Sequence, residues 1–354
     1  MRQHQIAVIG GDGIGPEVVA AALPVLRAVG EKFGFQLDTT DFPWGCAYYL
    51  EHGQMMPVDG LKQLEGFGAI FLGAIGYPSL VPDHISLHGL LLEIRRGFAQ
   101  FVNMRPHRLL PGVQSPLRSA DFDILCIREN SEGEYAGAGG RVHTGTLDEV
   151  AIETAIFTQR GCERVLRFAF EQARLRSGRL AVATKSNAQR HSMVFWDEVA
   201  ALVAADYPDI ETTMYHVDAL CARLITHPGS VDVIVASNLF GDILTDIGAA
   251  IQGGLGFAAS GNIDPTRAHP SMFEPVHGSA PDIAGTGQAN PSAAIWAGAM
   301  MLDHLGERDA AEAVLAALGV VTGAGRAGTP DMGGSSTTEE MAAAVTTVVR
   351  GGQE

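Results

Sequence analysis

The sequence predicts an α/β fold in which buried parallel strands alternate with helices. Short apolar runs of strand length, such as residues 5–9, 69–72 and 231–236, are bounded by glycine or polar turn residues. Between them lie longer segments with apolar residues at helical spacing, such as 158–175. This alternation is typical of parallel sheets covered by helices. The chain of 354 residues is long enough for two such domains or for one large α/β unit.

The composition indicates a globular protein, with 46% hydrophobic and 18% charged residues. A net charge of −16 disfavours binding to nucleic acids or anionic membranes. No apolar run approaches the ~20 residues of a membrane span, and no signal-peptide pattern precedes the first strand. The cysteines are too scattered for a zinc site and predict free thiols in a reducing, cytoplasmic compartment: Cys46, Cys126, Cys162 and Cys221.

The first strand, residues 5–9, leads through the glycine-rich turn Gly10–Glu17 into a helix from about Val18 to Phe33. Pro24 lies within this helix and is expected to kink it. The turn does not have the glycine spacing of a Rossmann dinucleotide loop. The Rossmann pattern is G-x-G-x-x-G. If it began at Gly11, its third glycine would fall on Pro16, and if it began at Gly13, on Val18.

A second strand at 35–40, a helix at 59–64 and a third strand at 69–72 continue the alternation. The third strand ends in a glycine-rich loop, residues 73–78. Ligands of open α/β sheets bind at the carboxyl ends of strands. This loop is therefore a candidate ligand-binding segment.

Three arginines follow apolar elements and suggest a site for a carboxylate-rich ligand. Arg95 ends the helical pattern 88–96, Arg105 follows shortly, and Arg128 comes directly after the strand 124–127. Each arginine alone has a structural explanation, because cations favour the last turn of a helix. The case for a binding site depends on the three together.

The next segments predict a hairpin and two further strands. Residues 137–153 are rich in glycine and β-branched residues, as expected of a hairpin arm that could pair with another subunit. After the helix 158–175, the strand 180–183 ends near Lys185, and the strand 213–217 ends at Asp218. Lys185 is equally compatible with a surface charge.

Asp242 and Asp246 follow the buried strand 231–236 and lie four residues apart on one helix face. Two carboxylates at this spacing suit a divalent cation with hard oxygen ligands. The alternative is a pair that complements the helix dipole. With Asp218 and Lys185, they predict three acids and one lysine at one sheet edge.

Beyond Gly253 the chain is glycine-rich and predicted to be mainly loop as far as Asn290. Long loops of this kind are usually functional. Two apolar helices follow, at about 292–305 and 308–319. No linker or repeat divides the chain, so a second domain would be an insertion.

Five motifs in this order resemble those of the β-decarboxylating dehydrogenases, the family of isocitrate, 3-isopropylmalate, homoisocitrate and tartrate/D-malate dehydrogenases. They are Gly11–Glu17, the Arg95 to Arg105 spacing, Arg128–Tyr135, Asn238–Asp246 and His277–Asn290. The resemblance covers nearly the whole chain and implies an isopropylmalate-dehydrogenase-like α/β fold, with two lobes around a continuous mixed sheet and a protruding β arm. It implies a cofactor-binding lobe of residues 1–99 and 252–354, and a substrate, metal and dimerisation lobe of 100–251 with its arm at about 137–153.

The resemblance also implies a role for individual residues. Tyr135 and Lys185 match the catalytic residues, and Asp218, Asp242 and Asp246 match the ligands of Mg²⁺ or Mn²⁺. The substrate would contact Arg95, Arg105, Arg128, Leu91, His88 and Asp218. In this family, the lysine and the first aspartate come from the partner subunit, which implies a homodimer with shared active sites. A K⁺ requirement is left open.

The implied cofactor is NAD, bound without a Rossmann loop. The residues at matching positions are Ile14, Gly73, Ala74, Ile75, Glu274, His277, Gly278, Ser279, Ala280, Asp282, Ile283 and Asn290. Asp282 stands where NAD-using members place an acid on the adenosine ribose, and its carboxylate would repel a 2′-phosphate. NADP-using relatives have lysine and tyrosine in place of Asp282 and Ile283.

The implied reaction is the oxidative decarboxylation of a 2-hydroxy dicarboxylic acid. Several segments resemble the tartrate/D-malate branch, which favours D-malate or tartrate as substrate. That branch usually has tryptophan at the position of His88, and Leu91 would suit the isopropyl group of 3-isopropylmalate, which is the alternative. Two hypotheses assign the chain to a different class of protein. One is a metal-dependent hydrolase, which leaves the arginines without a role, and the other is an inert metal- and nucleotide-binding protein.

Overall fold

The alternation of strands and helices is confirmed in a computed structural model, which describes residues 2–119 and 121–352. The strands are β1 (Arg2–Gly11), β2 (Phe35–Asp41), β3 (Ala69–Ala74), β4 (Val102–Arg108), β5 (Asp123–Glu129), β6 (Gly133–Val142), β7 (Val150–Ile156), β8 (Arg179–Thr184), β9 (Glu211–His216), β10 (Val233–Ala236), β11 (Ala259–Ile263) and β12 (Ser271–Pro275). The helices are α1 (Gly15–Phe33), α2 (Cys46–His52), α3 (Gly60–Leu64), α4 (Asp83–Ser86), α5 (Leu92–Gly97), α6 (Gln159–Arg174), α7 (Ser192–Ala204), α8 (Val217–Thr226), α9 (Asn238–Ile251), α10 (Ser292–His304), α11 (Arg308–Ala324) and α12 (Thr338–Val349).

The chain divides into two compact units. The first unit comprises Met1–Gln100, Leu109–Arg118 and Ala249–Glu354, and the second comprises Phe101–Arg108 and Ser119–Gly248. Each unit contains five strands of mixed sheet with helices packed on them. Among the described residues, no helix is long and apolar enough to cross a membrane.

In the first unit the strands follow the order β2-β1-β3-β12-β11. All neighbours are parallel except β11 and β12, which are antiparallel. The centre of β1, Ile6–Ile9, is buried, as its apolar run predicts, and α1 covers it with the buried side chains of Val18, Val25 and Leu26. Helix α1 continues through Pro24 as one element.

The carboxyl ends of β1 and β3 lie side by side, since Gly11 is paired with Ala74. The loops that follow these two strands therefore meet at one edge of the sheet. This is the edge at which open α/β sheets bind ligands.

In the second unit the order is β4-β5-β10-β8-β9. Strand β4 runs antiparallel to β5, and the other neighbours are parallel. Strands β8, β9 and β10 are thus aligned, and the residues that follow each of them lie along the same edge. The short apolar strand β10 leads directly into α9, as predicted from its sequence.

The predicted arm is an antiparallel hairpin formed by β6 and β7. Every residue of β7 is exposed, including Val150, Ile152 and Ile156. An isolated two-stranded hairpin is only marginally stable in water. The arm therefore presents apolar side chains at its surface.

Other parts of the fold differ from the sequence prediction. Strands β11 and β12 lie in the segment after Gly253 that was expected to be mainly loop. Helix α12 was not predicted; it begins with a capping box in which the side chains of Thr337 and Glu340 each bond the other residue's backbone N–H. The predicted helix before Arg95 contains a π-helical turn at Leu87–Leu91, a distortion frequently found at functional sites.

Candidate active site

In the second unit, two arginines share one carboxylate. Arg128 Nη1 donates to Asp242 Oδ1 at 2.5 Å, and Arg105 Nη1 lies 3.3 Å from the same oxygen. Arg128 is at the end of β5, whereas Arg105 is on the adjacent antiparallel strand β4. We call Arg105, Arg128, Tyr135 and Asp242 the arginine–aspartate cluster.

The two guanidinium groups of this cluster are nearly buried, with Arg105 5% and Arg128 3% exposed. Arg105 donates to Asn103 Oδ1 and to Thr245 Oγ1, both at 2.7 Å. Arg128 donates to Asn238 Oδ1 from Nε at 3.1 Å and from Nη2 at 2.8 Å. Neutral partners on these edges orient the planar groups without neutralising their charge. Both guanidinium groups lie next to the Asp242 carboxylate, and their charge also acts on Asp246 one helical turn further along α9.

Tyr135 completes the cluster from the start of the arm. Its hydroxyl donates to Asp242 Oδ2 at 3.2 Å, and the Arg128 guanidinium carbon lies 5.6 Å from its ring centroid. Burial, followed by the charge of Asp242, raises the pKa of the Tyr135 phenol above its ordinary value. The hydroxyl thus retains its proton at neutral pH and is available as a proton donor.

Helix α9 holds Asp242 and is itself anchored by Glu134. The Glu134 carboxylate accepts from Ser237 Oγ at 3.0 Å and from the Leu239 backbone N–H at 3.1 Å. It thereby satisfies an N–H group at the amino end of the helix, which has no intrahelical partner. Glu134 could not be identified from the sequence, because its partners lie about a hundred residues further along the chain.

Asp246 lies one turn after Asp242 on α9. Partial desolvation and then the charge of Asp242 raise the pKa of the Asp246 carboxyl. Two neighbouring carboxylates therefore destabilise each other's charged forms, and a cation between them would relieve this repulsion. Their hard oxygen donors fit Mg²⁺ or Mn²⁺.

Asp218 does not join these two acids within one chain. Within the described ranges, no group of three His, Cys, Asp or Glu side chains is arranged to hold a metal ion. Asp218, in the first turn of α8, instead accepts from Lys185 Nζ at 2.5 Å, and this hydrogen bond lowers the pKa of the Asp218 carboxyl. The four residues share a sheet edge, as predicted, but form two separate pairs along it.

In the first unit, Arg95 is directed at Glu274 on β12. Its Nη2 donates to Glu274 Oε1 at 2.9 Å, and that oxygen also accepts from Asn262 at 2.7 Å. The Nε of Arg95 is buried without a hydrogen-bond partner among the residues the structure describes. The π-helical turn before it leaves His88 exposed and Leu91 half-buried.

Three loops of the first unit meet at the carboxyl ends of β1 and β3. The Asp12 N–H donates to Ala74 O at 2.7 Å, and the Ile14 N–H donates to Ser279 O at 2.8 Å. These contacts bring together segments 10–17, 73–76 and 277–280, which we call the three-loop junction. Most of the predicted cofactor residues lie in it or beside it: Ile14, Gly73, Ala74, Ile75, His277, Gly278, Ser279 and Ala280.

The junction needs glycine for steric reasons. At Gly13, φ is +57°, and a Cβ would lie 1.9 Å from Ser279 O. At Gly73, a Cβ would lie 2.3 Å from Gly10 O. These glycines permit close packing of loops rather than the turn of a Rossmann site, in agreement with their spacing.

Asp12 organises the junction and was not identified from the sequence. Its side chain is 6% exposed; Oδ1 accepts from the Cys46 N–H at 2.7 Å and Oδ2 from the Gly76 N–H at 2.8 Å. One buried carboxylate thus fixes two loops from different parts of the chain. One feature of the sequence could have identified Asp12: it is a charged residue between two glycines, Gly11 and Gly13. A charged side chain in a closely packed glycine turn indicates that it accepts hydrogen bonds from nearby backbone N–H groups.

The predicted cofactor segment continues from His277 to Asn290, and both of its end residues lie in defined environments. Burial lowers the pKa of His277, so its imidazole is neutral at pH 7. Asn290 donates to Asp331 at 3.0 Å and accepts from the Ser292 N–H at 2.9 Å, which fixes its amide. Asp282 is exposed and Ile283 is half-buried in the turn between them. An exposed acid beside an ordered loop fits recognition of sugar hydroxyl groups.

Comparison with known proteins identifies relatives of the whole chain. Residues 5–345 match the family described as isocitrate/isopropylmalate dehydrogenase. A probable tartrate dehydrogenase/decarboxylase from Bacillus subtilis is 55% identical over 343 residues, 96% of both chains. A D-malate dehydrogenase [decarboxylating] from Escherichia coli is 50% identical over 359 residues, 99% of both chains.

The fold of the chain is also similar to that of a solved structure. The crystal structure of isocitrate dehydrogenase from Methylococcus capsulatus has a TM-score of 0.88 and 36% identity, and the match covers 98% of this chain and 99% of that one. The predicted resemblance and fold class are therefore confirmed. The chain is an oxidoreductase and belongs to the isocitrate/isopropylmalate dehydrogenase family.

Proposed function

We propose that this enzyme oxidatively decarboxylates D-malate, tartrate or both, using NAD and Mg²⁺ or Mn²⁺. The observation that carries the proposal is the arginine–aspartate cluster, where two buried guanidinium groups share the Asp242 carboxylate and the protonated phenol of Tyr135 donates to the same carboxylate. With a divalent cation on Asp242 and Asp246, the positive charge of the two guanidinium groups is available for a substrate carboxylate. The names of the relatives from B. subtilis and E. coli support this substrate class.

The metal would be held by Asp242 and Asp246 of one chain together with the partner subunit's Asp218. The mutual repulsion of Asp242 and Asp246 supports a cation at this position. When bound, Mg²⁺ or Mn²⁺ supplies a Lewis acid to the substrate hydroxyl and its adjacent carboxylate. Sharing of ligands between subunits makes the proposed active unit a homodimer, and the exposed apolar face of β7 is consistent with an assembly.

The protein side chains supply binding and proton transfer. Arg105 and Arg128 bind the substrate carboxylates in fixed orientation, and Arg95 is assigned to the same task. The partner subunit's Lys185 takes the hydroxyl proton as C2 loses hydride to NAD, and Tyr135 gives a proton to C3 after CO₂ leaves. The protons balance, because one is taken from the hydroxyl group and one is returned to carbon.

NAD would bind at the three-loop junction and along residues 277–290, with Asp282 on the adenosine ribose. The exposed carboxylate of Asp282 supports NAD over NADP, since it would repel a 2′-phosphate. His88 favours a polar substrate substituent, whereas Leu91, half-buried in the same π-helical turn, favours the isopropyl group of 3-isopropylmalate. The latter substrate is the second candidate. We also propose a cytoplasmic location, because Cys46, Cys126, Cys162 and Cys221 are all free.

The test is a rate measurement of NADH formation at its absorbance band. The substrates are D-malate, L-tartrate, meso-tartrate and 3-isopropylmalate, each assayed with Mn²⁺ and with a chelator. We expect a Mn²⁺-dependent rate with D-malate or a tartrate that exceeds the rate with 3-isopropylmalate. A preference for 3-isopropylmalate would replace the substrate assignment, and no rate with any of the four would overturn the proposed function.

A further inference from the structure

A cavity of about 240 Å³ lies in the first unit, away from the proposed cofactor loops. It is lined by the segment before β3, the loop between β11 and β12, and the carboxyl end of α10. These segments adjoin the amino ends of β3 and β12, whereas the three-loop junction lies at the carboxyl ends of β1 and β3. The proposed function uses none of the residues that line this cavity.

The loop between β11 and β12 is built around a buried carboxylate. Asp264 is 1% exposed, and its Oδ1 accepts from the Thr266 N–H at 3.0 Å and the Thr266 hydroxyl at 2.7 Å. Its Oδ2 accepts from the His269 N–H at 3.1 Å. The loop is therefore held in one conformation rather than left to solvent.

This conformation places Arg267 in the left-handed region, with φ of +58°. Its N–H donates to Asp264 O at 3.0 Å, which closes the turn. A long side chain disfavours this region, where glycine is the ordinary choice. A strained residue that the surrounding structure holds in place is a reason to look for a function of its side chain.

The side chains around the cavity supply hydrogen-bond donors and positive charge. Within the described ranges, no carboxylate lies within 4 Å of the Arg267 guanidinium. The Nδ1 of His269 is buried without a hydrogen-bond partner in the same ranges and lies 3.6 Å from Asp264 Oδ2, so His269 would donate to a ligand in the cavity through Nε2. Burial and then the charge of Arg267 lower the pKa of His304 to about 4. Among the described residues that line the cavity, Glu65 at the exposed rim is the one acid. The buried carboxylate of Asp264, in the loop itself, opposes the lowering of the His304 pKa in part.

We propose that this cavity is a binding site for a small oxyanion, a phosphate or carboxylate group held by Arg267 together with His269 and His304. A guanidinium group matches the oxygens of both kinds of anion. The volume of the cavity is below that of typical drug-sized ligand pockets, which limits the ligand to a small molecule. The half-buried apolar side chains of Phe67 and Leu305 line the same cavity.

The experiment follows the histidine ring signals of the full-length protein by NMR. Inorganic phosphate and succinate are titrated separately, with sodium chloride at equal ionic strength as the reference, and His269→Gln and His304→Gln assign the signals. We expect saturable shifts of both rings with phosphate or succinate. The stronger of the two ligands identifies the preferred anion as tetrahedral or carboxylate. Shifts that chloride reproduces would overturn the proposal.

Arg267→Gly is the decisive variant, because glycine adopts the observed φ without strain and the loop should remain folded. We expect it to weaken binding by at least ~10-fold, the loss of one charge-assisted contact. Arg308→Ala, which removes an exposed arginine from α11, is the charge-matched control and should bind as the wild type does. Wild-type affinity of Arg267→Gly would contradict the proposal. This result is independent of the dehydrogenase activity, which is expected to be unchanged in both variants.

Discussion

Arg128 and Asp242 are joined by an ion pair of 2.5 Å, although one residue ends a strand and the other lies on a helix more than a hundred residues later. The guanidinium of Arg128 also makes two hydrogen bonds to Asn238 through separate nitrogens. Its orientation is therefore fixed before any substrate arrives. Preorganised groups of this kind bind developing or permanent negative charge at low cost.

Arg128→Lys should raise the KM for the hydroxy acid substrate by roughly 10- to 100-fold, because lysine cannot maintain the forked contacts. Steady-state kinetics at saturating NAD measures this effect. Arg174→Lys is the matched control, since Arg174 makes an exposed two-nitrogen contact with Asp209 on the surface. If both variants had wild-type KM, Arg128 would not bind the substrate.

Tyr135→Phe should slow decarboxylation more than hydride transfer, by about 100-fold for the loss of one general acid. Decarboxylation is measured on its own with oxaloacetate as the substrate, and hydride transfer as NADH formation. Tyr207→Phe, which removes the hydroxyl that bonds Glu171 at 2.8 Å, controls for loss of a tyrosine hydroxyl elsewhere in the second unit. Unchanged oxaloacetate decarboxylation in the Tyr135 variant would show that the assigned role is wrong.

Asp12→Asn should raise the KM for NAD by about 10-fold, with a smaller effect on kcat. An amide has one acceptor oxygen, so its NH₂ group must face the N–H of either Cys46 or Gly76 and disturb the three-loop junction. Asp38→Asn is the control, because Asp38 accepts from the side chains of Gln5 and Gln36 on the surface. An equal fall in stability and activity, without a change in the KM for NAD, would indicate a purely structural role.

The double change Asp282→Lys and Ile283→Tyr should shift cofactor preference from NAD towards NADP. The reason is electrostatic: lysine would attract the 2′-phosphate that the exposed Asp282 carboxylate repels. The ratio of kcat/KM for NAD and NADP measures the change, with Glu339→Lys on the exposed first turn of α12 as the control for an added lysine. A double variant without any gain of NADP activity counts against the assignment of Asp282.

Asp232→Asn should lower the free energy of unfolding by about 2 kcal/mol at neutral pH. Burial alone would raise the pKa of this carboxyl, but hydrogen bonds from Ser177 and Arg176 outweigh it and lower the pKa. A depressed pKa in the folded state gives stability that is complete above the unfolded value of about 4 and is lost as the pH falls through the folded value. Urea denaturation at pH 7 and at a pH below the lowered folded-state pKa of Asp232 should show a difference between variant and wild type only at the higher pH.

The control for this last prediction is Asp209→Asn, which removes an exposed partner of Arg174. Water screens that pair, so a smaller change is expected. If both substitutions reduced the urea midpoint equally, burial of Asp232 would not explain its contribution.

Much of the second unit's site could be predicted from the sequence, because its residues follow apolar strands. Parallel strands end at one edge, so Lys185, Asp218 and Asp242 were correctly expected along the same side of the sheet. The pairing of Asp218 with Lys185 could not be predicted in this way. Strand order brings residues to an edge, but side-chain reach decides which of them make contact.

The first unit was harder to interpret because its site is made of loops. Strands β11 and β12 were missed since glycine, asparagine and proline residues within them resemble turn formers. Asp12 and Asp331 act through backbone or amide hydrogen bonds to distant segments, and no periodicity marks such contacts. The glycine spacing correctly excluded a Rossmann loop, yet only the structure shows what these glycines pack against.

That packing has a consequence for how the sequence can diverge. With room for no Cβ between Gly13 and Ser279 O, the segments 10–17 and 277–280 touch backbone to backbone. A substitution at residue 13 would require a compensating displacement of the 277–280 segment, and neither change is tolerated alone. Two stretches more than 260 residues apart are therefore coupled through their main chains, and residue 13 can gain a side chain only if the backbone of 277–280 moves with it.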